Sequence, residues 1–116
     1  MTDVAFKEAT VRPVPEIADD LQKLLGQRLV AYAAGVRSPK LVGRWAAGEH
    51  DPRLDAATRL RALYRVVVTL REHYGPETIR AFVTGANPDL GDRAPLDVIR
   101  DGHGTDAVHA AEAFLD

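Results

Sequence analysis

From Pro15 onward, apolar side chains return every three or four positions. Ile17, Leu21, Leu24 and Leu25 share one face of a predicted helix, and Asp19 and Asp20 stand near its favourable N-terminal end. Gly26 ends or bends it. A second helix is predicted over about 27–34, with Leu29, Val30 and Ala33 turned inward and Gly35 as its stop. Ser38-Pro39 then reads as a cap followed by proline at the first helical position. The helix it opens places Leu41, Val42 and Trp45 inward and Lys40, Gly43 and Arg44 outward, and Gly48 closes it. A polar connector broken by Pro52 leads into a long helix over about 55–74, with Ala57, Leu60, Leu63, Tyr64, Val67 and Leu70 at helical spacing. Val66 and Val68 widen that band. Such width predicts two packing neighbours, or one neighbour and a second copy of the chain. Arg59, Arg61, Arg65 and Arg71 fall on its polar flank, where they solvate the helix or extend a phosphate-binding surface. Residues 1–14 show no periodicity and read as a flexible arm. The predicted fold class is all-α.

The C-terminal third is punctuated differently. Gly75-Pro76 starts a helix with Ile79, Phe82 and Val83 inward, and Gly85 ends it. Asn87-Pro88-Asp89 is a turn signal, Leu90 an isolated apolar anchor, and Gly91 a residue for a backbone angle that larger side chains resist. Ala94 is held extended by the proline that follows it, and Pro95 opens a short helix with Leu96 and Ile99 inward, Asp97 in its first turn and Gly102 as its stop. A last helix, capped by Thr105, carries Ala107, Val108, Ala111, Phe114 and Leu115 on one side. Folded back, it completes the core. Projecting, it offers Phe114 and Leu115 to a partner.

Charge changes this picture more than composition does. The net charge of −2 conceals three blocks: −3 over 1–21, +7 over 22–71 and −6 over 72–116. A basic block in a near-neutral chain suits phosphate, and equally a solvated helix surface. No cysteine is present, which excludes disulfides, thiolate nucleophiles and cysteine metal sites. Neither a membrane-spanning run nor a signal peptide is legible, and a cytoplasmic protein is expected.

Two short helices about a glycine turn, the second with a basic outer face, are the elements of a helix-turn-helix. The stretch QRLVAYAAGVRSPKLVGRWAAG resembles the phage-repressor-like (Xre-type) DNA-binding family through Gln27, Ala33-Ala34, Gly35-Val36 and Arg44-Trp45. Its turn is one residue longer than the commonest form. Arg37, Lys40 and Arg44 are the candidates for reaching phosphates or guanine edges. Ser38 could bind phosphate at a helix start, or serve only as a cap. Arg28 and Arg53 are assigned to phosphate.

Downstream, NPDLGDRAPLDVIRDG after a helix ending in FVTG resembles the toxin-binding domain of the Xre/MbcA/ParS antitoxins, with Asp92 where a second glycine is common. Together the resemblances cover roughly residues 15–116. They imply a helix-turn-helix domain over 15–54 and a toxin-binding and dimerisation domain over 55–116. They imply a homodimer that represses its own promoter and neutralises a RES-fold, NAD-consuming toxin, the C-terminal segment obstructing the toxin's pocket. Asn87, Pro88, Leu90, Gly91 and Pro95 would form the joint that aims this segment. Asp101, His103, Thr105, His109, Glu112, Phe114 and Leu115 would meet the toxin. The alternative is a stand-alone Xre-like regulator whose C-terminal half only dimerises.

Catalysis is not expected. Ser38 is the only serine, and His50, His73, His103 and His109 show no ligand pairing. An offset of six residues from His103 to His109 is poor spacing for one metal on a helix, with or without Asp106. No phosphate-cradling glycine loop occurs, and no cofactor is expected.

Overall fold

The computed structural model describes Ala5, Lys7, Ala9 and residues 11–116. The fold is all-α. Among the described residues, seven α-helices follow one another: α1 (Val14–Leu25), α2 (Gln27–Ala34), α3 (Pro39–Ala46), α4 (Leu54–Arg71), α5 (Pro76–Thr84), α6 (Pro95–Arg100) and α7 (Gly104–Leu115), with a single 3-10 turn at Pro88–Leu90.

The arm expected over 1–14 lies partly outside the described residues. Ala5, Lys7, Ala9 and Val11 are helical, and Ala5 and Ala9 are buried. Alanines four apart share a helix face without the bulk that makes periodicity visible in sequence. Arg61 anchors the segment, its Nη1 donating to the carbonyls of Ala9 (2.6 Å) and Arg12 (3.0 Å).

α1 buries Ile17, Ala18, Leu21 and Leu25 and packs across α3 and α4. α2 ends where Gly35 adopts φ 83°. The Gly35 amide donates to the Tyr32 carbonyl and the Val36 amide to the Ala31 carbonyl, both at 3.1 Å, which closes the helix as a Schellman motif. α3 and α6 close the same way, at Gly48 and Gly102. Four residues, 35–38, thus separate α2 from α3, which lies against α1 and α2 with Val42 and Trp45 buried. Gly43 faces inward, not outward. A Cβ there would stand 2.8 Å from Gln27 Nε2, which donates to Gln22 Oε1, so glycine allows α3 to approach the start of α2.

α4 is the axis. It touches α1, α2, α5, α6 and α7, and from Leu63 onward nearly every side chain is buried, Val66, Val67, Val68 and Thr69 included. The broad apolar band is therefore covered by the chain's own helices and carries no argument for a second copy. Its inner stripe begins at Ala56 instead of Ala57. Arg59, Arg61 and Arg71 on its flank serve the fold. Arg59 donates through Nε to the Arg100 carbonyl (2.9 Å) and pairs with Asp55 (3.3 Å). Arg71 pairs with Asp20 (3.1 Å), which also accepts from the Tyr64 hydroxyl (2.8 Å). One continuous hydrophobic core runs from Ala5 to Ala111, so the segments on either side of residue 54 share their interior.

α7 folds back on α4 and α6, burying Ala107, Val108, Ala110 and Ala111. It starts at Gly104, which places Thr105 inside the helix, with no side-chain cap at its start. Gly104 is the point of closest approach: a Cβ there would lie 2.5 Å from Ala62 Cβ. Phe114 remains 46 % exposed but leans on Tyr74 and Phe82, with ring centroids 5.3 and 5.0 Å away. Among the described residues no helix is long and apolar enough to cross a membrane.

Candidate functional site

The basic side chains divide into two populations. Arg59, Arg61, Arg71, Arg80, Arg93 and Arg100 each donate to a carbonyl or carboxylate of the chain. Among the described residues, the side chains of Arg28, Arg37, Lys40, Arg44 and Arg53 engage no internal acceptor. All five are exposed. Lys40 and Arg44 are one turn apart on α3 and so share a face. Arg37 lies in the turn and lines two clefts, one shared with Arg28 and the other with Arg53. The predicted cations thus lie on α2 (Arg28), in the turn (Arg37), on α3 (Lys40 and Arg44) and just before α4 (Arg53), and α3 is anchored by the buried indole of Trp45. Ser38 occupies the cap position of α3 at φ −95°, yet its hydroxyl makes no capping hydrogen bond. The cap assigned from sequence is positional only, and the hydroxyl is left for another acceptor or donor.

The joint is a closed knot. The Asn87 carbonyl accepts from the amides of Leu90 and Asp92 (both 2.9 Å), its amide donates to the Arg93 carbonyl (3.1 Å), and its side-chain oxygen accepts from the Asp89 amide (2.9 Å). Gly91 and Asp92 both take φ 65°, and the Arg93 amide reaches the Leu90 carbonyl at 3.3 Å. Two successive left-handed residues make a type I′ turn, which explains both Gly91 and the pressure for a second glycine at Asp92. Leu90 is half-buried against the core. Ala94 is extended (φ −76°, ψ 145°) and Pro95 is buried as the first residue of α6.

Two grooves flank this knot. One lies between Asp89, Arg93, His103, Asp106 and His109. The other is more apolar, between Phe82, Ala86, Pro88, Ala113 and Phe114. Of the residues assigned to a partner, His103, His109 and Phe114 line these grooves, and Thr105 is exposed. Asp101 is paired with Arg93. Leu115 packs on the core, and Glu112 turns one carboxylate oxygen inward without a partner, so neither is presented outward as a ready contact. Among the described residues no three His, Asp or Glu side chains group as metal ligands.

Sequence reasoning missed Tyr32 and Arg100. Tyr32 is 42 % exposed on α2, and its hydroxyl donates to Asp97. That bond is the main reason its phenol is held above its ordinary value. Arg100 stacks over the Tyr32 ring at 4.5 Å. An aromatic residue out of phase with the apolar stripe of α2 is the one signal that could have pointed here.

Comparison of the chain with protein-family models, with curated proteins and with solved structures finds no match in any of the three.

Proposed function

We propose that this chain is an antitoxin of a two-gene module. On this reading it grips its own promoter through α2, the turn and α3, and binds a RES-fold, NAD-consuming toxin through the joint and the outer face of α7. The observation that carries the DNA half is the division of the cations: every arginine needed to hold the helices together has an internal acceptor, whereas Arg28, Arg37, Lys40, Arg44 and Arg53 have none. Unpaired, exposed cations around two short helices match what phosphate contacts and base reading require. The toxin half is supported by the resemblance of the joint and by the two grooves on either side of it, in a segment whose formal charge is −6.

One observation favours a second reading, a stand-alone regulator. α7 is docked, and a helix that fills another protein's cavity must present its outer face or leave α4. Truncation after Gly102 would strip Ala107, Val108, Ala110 and Ala111 from the core, so it cannot separate the two readings. Co-expression of the full chain with the product of the adjacent open reading frame does. Growth rescue and co-purification, reduced when His103 and His109 are replaced by glutamate and retained when Arg37, Lys40 and Arg44 are neutralised, are the expected results. Promoter binding with no captured partner and no rescue would favour the stand-alone regulator, and absence of both would end the reading.

A further inference from the structure

The cleft shared by Arg28 and Arg37 has a third guanidinium in it. Its volume is about 370 Å³, and its walls include Arg28, Tyr32, Arg37, Pro39 and, from the far side of the joint, Arg100 at the end of α6. Arg100 is fixed there from two directions. Its Nη1 donates to the Tyr32 carbonyl at 2.6 Å while its guanidinium carbon lies over the Tyr32 ring, and its own carbonyl is held by Arg59 Nε at 2.9 Å.

The neighbouring acids stand outside the cleft. No carboxylate lines it. Asp97, one turn back on α6, accepts from the Tyr32 hydroxyl, and Asp101 is paired with Arg93. Among the described residues Arg100 forms no ion pair, and one guanidinium edge is without a partner. Three like charges around one small cleft repel unless an anion is shared between them. A guanidinium held by stacking and one hydrogen bond is pre-organised to offer its other edge to an oxyanion.

We propose that Arg100, together with Arg28 and Arg37, binds a backbone phosphate of the DNA. The C-terminal half would then contribute a contact to the nucleic-acid footprint from within a stretch whose net charge is negative. This rests on the DNA-binding reading above. It differs from that reading in assigning a phosphate to a residue outside the two short helices and their turn.

The test is the salt dependence of binding to a duplex taken from immediately upstream of the chain's own coding sequence. Each phosphate neutralised contributes about 0.9 to the slope of log K against log salt. Because the phosphate is shared with Arg28 and Arg37, Arg100→Gln should lower the slope by part of that amount, Arg100→Lys should keep it, and Arg93→Gln, whose guanidinium is paired with Asp101, should leave it unchanged. An unchanged slope in Arg100→Gln overturns the assignment, and so does a loss of affinity without a change of slope in both Arg100 variants, which marks a structural role. Inorganic phosphate protecting Arg100 with no slope change in Arg100→Gln would assign the cleft to a free anion and also overturn it. If the wild-type chain binds no duplex, the DNA reading fails. If neutralising Arg37, Lys40 and Arg44 lowers the slope while Arg100→Gln does not, only this inference fails.

Discussion

Gly104→Ala measures how closely α7 is docked. In the structure a Cβ at Gly104 would stand 2.5 Å from Ala62 Cβ, well inside ordinary van der Waals contact, and both atoms belong to short side chains with no rotamer to yield. The helices must separate, and overpacking of this kind costs about 1–3 kcal/mol. Alanine in place of glycine returns at most about 1 kcal/mol of backbone entropy, less at the first residue of a helix. The net is a loss of about 1–2 kcal/mol, or a fall in melting temperature of roughly 4–8 °C for a domain of this size. Thermal unfolding followed by circular dichroism reads it directly. Ala62→Gly moves the vacancy to α4 and alone costs about 1 kcal/mol of helix propensity. Combined with Gly104→Ala it restores one methyl in the gap, so the two substitutions should couple favourably by at least about 1 kcal/mol in a double-mutant cycle. A Gly104→Ala protein as stable as wild type, with no coupling to Ala62, would show that α7 does not sit against α4, and the docked-helix account would fall.

The other predictions concern the joint and the α1–α4 staple. Asp92→Gly should stabilise the protein by roughly 0.5–1 kcal/mol in denaturant unfolding, because Asp92 is held at φ 65°, and Gly91→Ala should destabilise it by about as much. Tyr64→Phe removes the bond to Asp20 and should cost about 1–2 kcal/mol at neutral pH. Burial, then the bond to Asp20, hold the Tyr64 phenol above its ordinary value of 10.0. A raised folded-state value means that its contribution is complete below about pH 10 and is lost as pH rises through that higher value. Wild-type stability should therefore fall more steeply than that of Tyr64→Phe in alkaline denaturation, and parallel curves would contradict the assignment.

What the sequence made legible was local chemistry. Gly35, Ser38-Pro39 and Gly48 mark the ends of α2 and α3 because caps and left-handed closures are decided within a few residues. The joint was readable for the same reason, from Asn87 through Pro95. Long-range facts were not. α4 is covered on several sides, so its second half loses amphipathic contrast, and Val66 and Val68 left neighbours within the chain or a second copy open, of which the chain's own helices supply the first. Gly43 looked like a gap on a polar face, and only the position of Gln27 shows why it is glycine. The sequence left Arg59, Arg61 and Arg71 either solvating the helix or extending a phosphate-binding surface, whereas each spends donors on the fold. Charge counting put Arg100 in an acidic segment, whereas the fold returns it to Tyr32 on α2.

The absence of cysteine makes the central claim directly measurable. Lys40→Cys, exposed in the first turn of α3, can carry a single iron chelate that cuts DNA within its reach. With upstream duplex, the account predicts a narrow cluster of cuts for each bound copy, with paired clusters about 10 base pairs apart where two copies bind neighbouring half-sites. The same label at His109→Cys, on the outer face of α7, should leave the DNA uncut. Equal cutting from both positions, or none from a labelled Lys40→Cys chain that still binds the duplex, would contradict it.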